Sequence, residues 1–220
     1  MKKKYEFTGK TKEHYGITLK QIRRISDGLV GGWIEKEDNL SHRGDCWVSY
    51  NAKVFGNALV SERAHVYGNA WVYGNALVFG DARVSEKAHV SERARVYGSA
   101  KVSGNAHIYG NALVSERALV YGDANVFRDA WVYGNAKVCG EDKVTGAITN
   151  LLNLCEFLIT ASITDKYIRV GCQSKSFEDW RTYVKSKSTE YLKDCRDEES
   201  HKKCVRLLKT ILKNENAWKG

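Results

Sequence analysis

Hydrophobic residues recur every six positions from Val48 to Lys143, over sixteen unbroken copies of one hexad. A common copy runs Val66-Tyr67-Gly68-Asn69-Ala70-Trp71, and its positions are numbered here from the valine. Position 1 is Val in fifteen copies and Ile108 in the other, position 5 is Ala in fifteen, and position 3 is Gly in ten. A hexapeptide period of this length predicts a mainly β protein built as a parallel β-helix.

The residue types at each position suit such a coil. A β-branched residue at position 1 packs inward as a ladder, and a small Ala lets the chain turn a corner. Gly, Asn and Asp at positions 3 and 4 tolerate left-handed backbone angles. Three sides close a coil of about eighteen residues, so residues eighteen apart stack in columns about 4.8 Å apart.

The flanking sequence predicts two smaller pieces. We expect a β-hairpin cap over residues 1–33, covering an open end that would otherwise aggregate, and a β-helix over residues 34–146. Two extra residues bulge out around His42 to Asp45. Residues 147–220 predict a small α+β segment, with a β-hairpin over 151–172, a helix from the N-cap Ser176 to about Lys185, and a helix over 199–213.

Positions 6 and 2 point outward on either side of each inward Val. We name the three faces by their first such pair: side one from Trp47 and Ser49, side two from Lys53 and Phe55, side three from Leu59 and Ser61. Side three is the most apolar, and a patch of that size predicts a self-association interface. The alternative is that the C-terminal segment covers it. The predicted interface residues are Leu59, Leu77, Phe79, Tyr97, Leu113, Trp131 and Tyr133.

Side two combines imidazoles with aromatic rings. His89 and His107 lie eighteen apart, with Trp71, Tyr73 and Tyr109 as neighbours. Such a column could bind a nucleotide or another planar anion by stacking and hydrogen bonds. Ordinary surface or interface packing is the alternative. A metal site is not predicted, because no carboxylate or Cys completes a ligand set.

Four hexads carry Ser at position 2 and Glu at position 3. We expect them to be solvated corners with local ion pairs that contribute little. They are Ser61-Glu62-Arg63, Ser85-Glu86-Lys87, Ser91-Glu92-Arg93 and Ser115-Glu116-Arg117.

Composition limits the partners. The net charge of +9 is spread along the chain, so nucleic-acid binding is not expected. No apolar run predicts a signal peptide or a membrane span. The six cysteines include no Cys-x-x-Cys pair, which indicates reduced thiols and a cytoplasmic location.

The hexads resemble the hexapeptide-repeat superfamily, whose β-helix is left-handed and whose best-known members are trimeric acyltransferases. The aliphatic and small positions match, but position 2 is often aromatic here and Gly stands at position 3. The chain is more similar still to bacterial, phage and prophage hexapeptide-repeat proteins of mostly unassigned function. That similarity includes the lead-in Gly31-Gly32-Trp33-Ile34-Glu35, the segment Gly44-Asp45-Cys46-Trp47-Val48 and the tail Tyr167-Ile168-Arg169-Val170-Gly171-Cys172.

The resemblance implies a left-handed coil and a homotrimer. It also implies what an acyltransferase would need: a projecting loop, a His general base and a cleft for acetyl-CoA. The sixteen hexads contain no inserted loop, and His42 is the one His in an insertion, so His42 is the candidate base under that alternative.

We therefore predict a non-catalytic, oligomeric binding protein of phage or prophage type that needs no cofactor. Its partner would be a host protein or a sequestered nucleotide-like molecule, as for inhibitors of host defence. The alternatives are a CoA-dependent acyltransferase and a structural protein that self-assembles.

Overall fold

The protein is a parallel β-solenoid. The computed structural model describes residues 3–140, 143–144, 147–148, 161–163, 167–170, 173–186 and 198–213. Short parallel strands form three sheets, and partners along each sheet are eighteen residues apart, as in Trp71, His89 and His107. The predicted fold class and stacking columns are thus confirmed. The left-handed sense of the coil, which the resemblance implies, stays a prediction.

Each strand of the solenoid is two residues long. Side one consists of β4 (Trp47–Val48), β7 (His65–Val66), β10 (Arg83–Val84), β13 (Lys101–Val102), β16 (Leu119–Val120) and β19 (Lys137–Val138). Side two consists of β5 (Lys53–Val54), β8 (Trp71–Val72), β11 (His89–Val90), β14 (His107–Ile108), β17 (Asn125–Val126) and β20 (Lys143–Val144). Side three consists of β6 (Leu59–Val60), β9 (Leu77–Val78), β12 (Arg95–Val96), β15 (Leu113–Val114), β18 (Trp131–Val132) and β21 (Ala147–Ile148).

Each of the three sides of the solenoid contributes one column of inward side chains to the core. Every position-1 residue from Val48 to Val138 is 0% exposed, and the position-5 alanines are also buried. Backbone hydrogen bonds join the coils, with Trp71 N–H donating to Ala88 O at 2.9 Å and Tyr73 N–H donating to Val90 O at 2.9 Å. Because each coil rests only on its neighbours, the outward positions can vary without disturbing the core.

The backbone turn at each corner of the coil depends on the residue at position 3 of the hexad. All sixteen position-3 residues have a positive φ: ten are Gly, and the others are Tyr50, Glu62, Glu86, Glu92, Glu116 and Arg128. Among the described residues, none of the Asn or Asp residues at position 4 has a positive φ. The left-handed angle therefore belongs to position 3, whereas the sequence reasoning assigned it to positions 3 and 4.

The coils approach so closely at position 3 that the non-glycine residues never stack on one another. A Cβ on Gly104 would lie 2.6 Å from the backbone N of Gly122 and 2.7 Å from its O. Each non-glycine residue at this position therefore has glycine in the described coils next to it. This spacing rule limits how many corners can carry a functional side chain.

The glutamates at position 3 have a backbone role that the sequence reasoning missed. The carboxylates of Glu62, Glu86 and Glu92 accept the backbone N–H of the glycine eighteen residues later, at 2.8 to 3.0 Å. The expected local ion pair is replaced by a pair between coils, in which Arg63 Nε donates to Asp81 Oδ1 at 2.6 Å. The left-handed backbone at position 3 accounts for the glutamate contacts, because it directs those side chains along the solenoid axis.

The N-terminal hairpin continues the sheet of side two. Strands β1 (Tyr5–His14) and β2 (Ile17–Arg24) are antiparallel, and their turn has positive φ at both Tyr15 and Gly16. Strand β2 pairs with β3 (Val30–Ile34), which in turn pairs in parallel with β5. A 3₁₀ helix follows over Glu37–Asn39.

The hairpin also contributes to the core at this end of the solenoid. Tyr5 and Ile22 are buried in the same cluster as the valine columns. The Tyr5 hydroxyl donates toward the carbonyls of Glu37 and Leu40, at 3.0 and 3.1 Å. The hairpin thus covers the first coil as expected.

The C-terminal part was predicted in outline. Strand β21 pairs with β18, so the solenoid ladder continues past the expected boundary at residue 146. Strands β22 (Ala161–Ile163), β23 (Tyr167–Val170) and β24 (Gln173–Ser176) are antiparallel. The predicted hairpin over 151–172 falls partly outside the described residues, at 151–160, 164–166 and 171–172, and β24 was not predicted.

Both predicted helices are present. Helix α1 (Phe177–Lys185) begins at the N-cap Ser176, whose hydroxyl accepts the Asp179 N–H at 3.1 Å. Helix α2 (Glu198–Lys213) starts one residue earlier than expected. Neither described helix is long and apolar enough to cross a membrane.

The corner packing predicts a difference between two glycine substitutions. Gly16 also has a positive φ, but a Cβ there meets no atom within 4 Å. We expect Gly16→Ala to lower the free energy of unfolding by about 1–2 kcal/mol from backbone strain alone. Gly104→Ala should cost a further ~1–3 kcal/mol, because the obstructing atoms are backbone. Guanidinium chloride unfolding measures both, and equal midpoints for the two variants would contradict the packing argument.

Candidate functional site

The predicted aromatic and imidazole residues of side two do come together. Trp71 and His89 stack almost in parallel, with ring centroids 4.5 Å apart, and His89 and His107 follow at 4.8 Å. Tyr73 meets the edge of His89 at 6.3 Å. The regular coil spacing places these rings on adjacent strands, so the column forms one continuous surface.

The N-terminal hairpin adds residues that the sequence reasoning did not place in this site. The His14 ring lies edge-on to Trp71 at 4.4 Å and to Phe55 at 5.5 Å. Tyr15, at the hairpin turn, approaches Trp71 at 5.9 Å. No local pattern connects the hairpin turn to a residue more than fifty positions later, which is why the sequence did not reveal this contact.

Two lysines approach the same surface. Lys53 Nζ lies 4.9 Å from the Trp71 ring centroid, and Lys12 Nζ lies 4.0 Å from that of Trp33. Lys12 also donates to Asn51 Oδ1 at 2.7 Å. The Lys53 side chain is only 8% exposed, and within the described part of the chain it has no hydrogen bond or ion pair. Partial removal of this ammonium group from water, without an anionic partner, carries a desolvation cost.

This crowding of positive groups lowers their affinity for protons. Burial, followed by the charge of Lys53, lowers the pKa of Lys12 to about 8. Burial also lowers the pKa of Lys53. The pKa values of His14 and His89 are lowered by burial first and then by nearby positive groups, Lys53 among them. The outward positions of side two from Lys53 to Phe127 include no carboxylate, so the surface favours a negative ligand.

The second outward column of side two contains a gap. Phe55 and Tyr73 stack at 5.1 Å, as do Tyr109 and Phe127. The buried Ser91 stands between these two pairs. The predicted residue Tyr109 is therefore separated from Tyr73 by one coil that has no ring at this position.

Metal binding finds no support in this region. Among the described residues, no three His, Cys, Asp or Glu side chains are close enough together to hold a metal ion. Cys46 and Cys139 are not joined to each other by a disulfide.

His42 is packed beneath the N-terminal strand. Its ring stacks on Tyr5 with centroids 4.4 Å apart, and its Nδ1 accepts the backbone N–H of Lys4 at 3.2 Å. Its buried Nε2 faces Glu37 at 3.9 Å. Because Nδ1 is the hydrogen-bond acceptor, neutral His42 carries its proton on Nε2 and has no free lone pair for a substrate. His42 therefore packs against the N-terminal strand, and its role as a general base under the acyltransferase alternative stays a prediction.

The seven predicted interface residues lie along one face, but they are less continuous than expected. Arg95 separates Leu77 from Leu113 in the position-6 column. Phe79 and Tyr97 stack at 5.0 Å, and Trp131 rests on Tyr133 at 4.7 Å. Neighbouring coils partly shield most of these side chains, and Trp131 is the most exposed of them at 43%. Self-association through this face stays a prediction.

Comparison with known proteins agrees with the repeat architecture. Residues 70–86 match a family described as the YdcK β-solenoid repeat. The chain is a hexapeptide-repeat β-solenoid. It is also similar to a protein of Escherichia coli (strain K12) described as the uncharacterized acetyltransferase YdcK, with 39% identity over 59 residues. That match covers 24% of this chain and 18% of the relative, so the chain spans just under a fifth of that curated relative's length.

The lowered pKa of His89 predicts a pH-dependent stability of the solenoid. The unfolded imidazole, with its ordinary pKa of 6.5, takes up a proton more readily than the folded one. Stability should therefore fall as the pH drops below about 6.5. We expect His89→Phe, which keeps a ring in the stack, to lose less melting temperature than the wild type between about pH 7.5 and about pH 5.

The control for this comparison is Tyr73→Phe, which changes a neighbouring ring that is not an imidazole. It should retain the wild-type loss. His14 and His65 also have lowered pKa values, so a smaller loss should remain in His89→Phe. Identical losses in His89→Phe and the wild type would show that His89 takes no part.

Proposed function

We propose that this chain is a non-catalytic binding protein that holds a planar, negatively charged molecule on side two. A nucleotide belongs to this ligand class. The proposal combines stacking on the column of Trp71, His89 and His107 with ionic contacts to the lysines beside it. Both contributions come from residues that the solenoid and the hairpin hold in fixed positions.

The observation that supports the proposal most strongly is Lys53. Its side chain is 8% exposed and has no hydrogen bond or ion pair among the described residues, and burial lowers the pKa of its ammonium group. A bound phosphate or carboxylate would supply the missing negative partner and would strengthen the neighbouring hydrogen bonds. A partly desolvated ammonium group without an anionic partner is suited to receive a negatively charged ligand.

The aromatic surface supplies the second contribution. The ring column of side two ends at His107, which is exposed. The residue beside His107 in the next coil is Asn125, which has no ring. Its face is thus open for stacking by a planar group. Ser91 is buried between Tyr73 and Tyr109, so the space between these two rings is not open to a ligand. Arg93 lies at the adjoining corner and has no side-chain hydrogen bond or ion pair in the described part of the chain.

The biological setting belongs to the proposal as well. The sequence resemblance to phage and prophage proteins supports a role in which the chain sequesters a nucleotide-like signal of a host or binds a host protein. The proposal concerns the small molecule, because side two offers a charged and aromatic surface rather than a broad apolar one.

The acyltransferase alternative has less support. The name of the relative YdcK suggests acetyl transfer, but its match covers a small part of either protein. His42 would have to act as the base, and its Nδ1 already accepts the Lys4 N–H. Acetyl-CoA would be the cofactor under that alternative alone.

Binding of AMP tests the ligand class. We expect isothermal titration calorimetry to show that AMP binds more tightly than adenosine, because adenosine lacks the phosphate. Lys53→Gln should weaken AMP binding by roughly tenfold or more through loss of the ionic partner. The matched control is Lys101→Gln, an exposed lysine at position 6 of side one, which should bind AMP as the wild type does.

Two outcomes would contradict this proposal. One is wild-type protein that binds AMP no better than adenosine. The other is Lys53→Gln protein that retains the wild-type affinity while remaining folded by circular dichroism.

Self-association through side three is a second part of the proposal. The apolar side chains of that face and the resemblance to trimeric proteins support a trimer of the 24.8 kDa chain. Light scattering after size exclusion should give three times the chain mass for wild type and a single chain for Leu113→Glu. Leu119→Glu, which changes the equivalent position on side one, serves as the control and should stay trimeric. A monomeric wild type would refute the interface.

A further inference from the structure

Within the column of stacked rings on side two, one ring face stays free for a ligand. Lys53 Nζ lies over Trp71, 4.9 Å from its ring centroid, and His89 stacks on Trp71 at 4.5 Å. His89 in turn has Trp71 on one side and His107 on the other, at 4.8 Å. The inner rings are thus already in contact with neighbours, whereas His107 is exposed and is the last ring of the column.

The position beyond His107 has no ring of its own. The neighbour of His107 in the next coil is Asn125, whose side-chain amide donates to the Asp123 carbonyl at 3.0 Å. This hydrogen bond holds the Asn125 amide toward the corner of the coil. A nucleobase placed here would stack on His107, and its amino group would donate to the side-chain oxygens of Asn125 or Asp123.

The positive groups lie at the opposite end of the same column. Lys53 stands beside Trp71, and Lys12 of the hairpin reaches the ring of Trp33, which pairs with Lys53 from the preceding strand. Burial, followed by the charge of Lys53, lowers the pKa of Lys12 to about 8, which places the two ammonium groups near each other. We therefore expect an anionic group at this end and a neutral base at the other.

The register of the solenoid fixes the distance between the two ends. The strands that carry position 6 of side two follow one another in the order Lys53, Trp71, His89, His107 and Asn125. With about 4.8 Å between neighbouring strands, the stacking position beside His107 lies roughly 19 Å from the strand of Lys53. A mononucleotide carries its base on the same sugar as its phosphate, so it reaches only one end. A ligand that reaches both ends needs a second nucleotide unit.

We infer that side two binds an extended dinucleotide, with its terminal phosphate at Lys12 and Lys53 and its distal base stacked on His107. The inference rests on the anion binding proposed above, and it names the class of ligand that fits both ends of the column. The linking phosphate would pass His89 and His107, whose imidazole N–H groups can donate to it. The ionic contact and the stacking contact then come from one molecule, as in other proteins that bind short single strands.

The repeat supplies a variant that closes the free ring face. Asn125→Trp introduces at position 6 a residue type that the chain already carries there, as Trp71. The new indole would occupy the position beside His107, and the next free face would lie one coil farther from Lys53, beyond the reach of a dinucleotide. The matched control is Leu119→Trp, which makes the same kind of change at position 6 of side one.

The measurement is calorimetric titration with the 5′-phosphorylated diadenylate pApA and with AMP. Wild type should bind pApA roughly tenfold or more tightly than AMP, because the second base adds a stacking contact. Asn125→Trp should reduce the affinity for pApA to that for AMP and leave AMP binding unchanged. Leu119→Trp should match wild type with both ligands, and Lys53→Gln should weaken the binding of both.

Equal affinities of wild type for pApA and AMP would overturn the inference, and this comparison depends on no variant. Asn125→Trp protein that is folded by circular dichroism and keeps the wild-type preference for pApA would overturn it as well. In either case, AMP binding that depends on Lys53 would still stand. If wild type binds neither ligand, the anion binding proposed for side two is refuted, and the inference fails with it.

Discussion

The closeness of one coil to the next at position 3 governs the rest of this structure. Each corner turns through a residue with a left-handed backbone, and the backbone of the next coil lies where a side chain of that residue would begin. Glycine relieves the contact, and the few larger residues have glycine in the described coils beside them. The regular register of eighteen residues follows, because only coils of equal length can keep these corners superimposed.

Because of this constraint, the side chains that differ between the three sides stand at the outward positions. Positions 6 and 2 repeat in columns, so a single substitution alters one step of a long ladder and leaves the core unchanged. On side two, imidazoles and lysines surround Trp71, whereas side three carries leucines and aromatic rings. Serine in a column of rings interrupts the stack, as Ser91 does between Tyr73 and Tyr109.

The sequence predicted the repeating coils of the molecule. It did not predict contacts between elements that lie far apart in the chain. The strict hexads predicted the columns and the register. The spacing of eighteen residues was therefore enough to place Trp71 and His107 beside His89. The capping residues Ser176 and Asp179 predicted the start of helix α1, because that signal is local. The contact between His14 and Trp71 could not be predicted, since it depends on how a long hairpin bends toward a distant face.

The packing of His42 was not predicted for the same reason: its partner Tyr5 comes from a strand far away in the sequence. The glutamates at the corners were expected to be surface charges, and their carboxylates turned out to accept backbone N–H groups of the next coil. In both cases a polar side chain has a backbone or ring partner that composition cannot show.

The register of eighteen also limits how such a chain can change in length. Insertion of a single hexad would leave every valine inward, yet it would move all later residues to the next side. An insertion before Trp131 would remove Trp131 and Tyr133 from side three, and an insertion between His89 and His107 would separate these two rings. Duplication of a whole coil has no such effect, because each column merely becomes one residue longer. Growth by whole coils is therefore the form of evolutionary change that preserves distinct surfaces on the three sides.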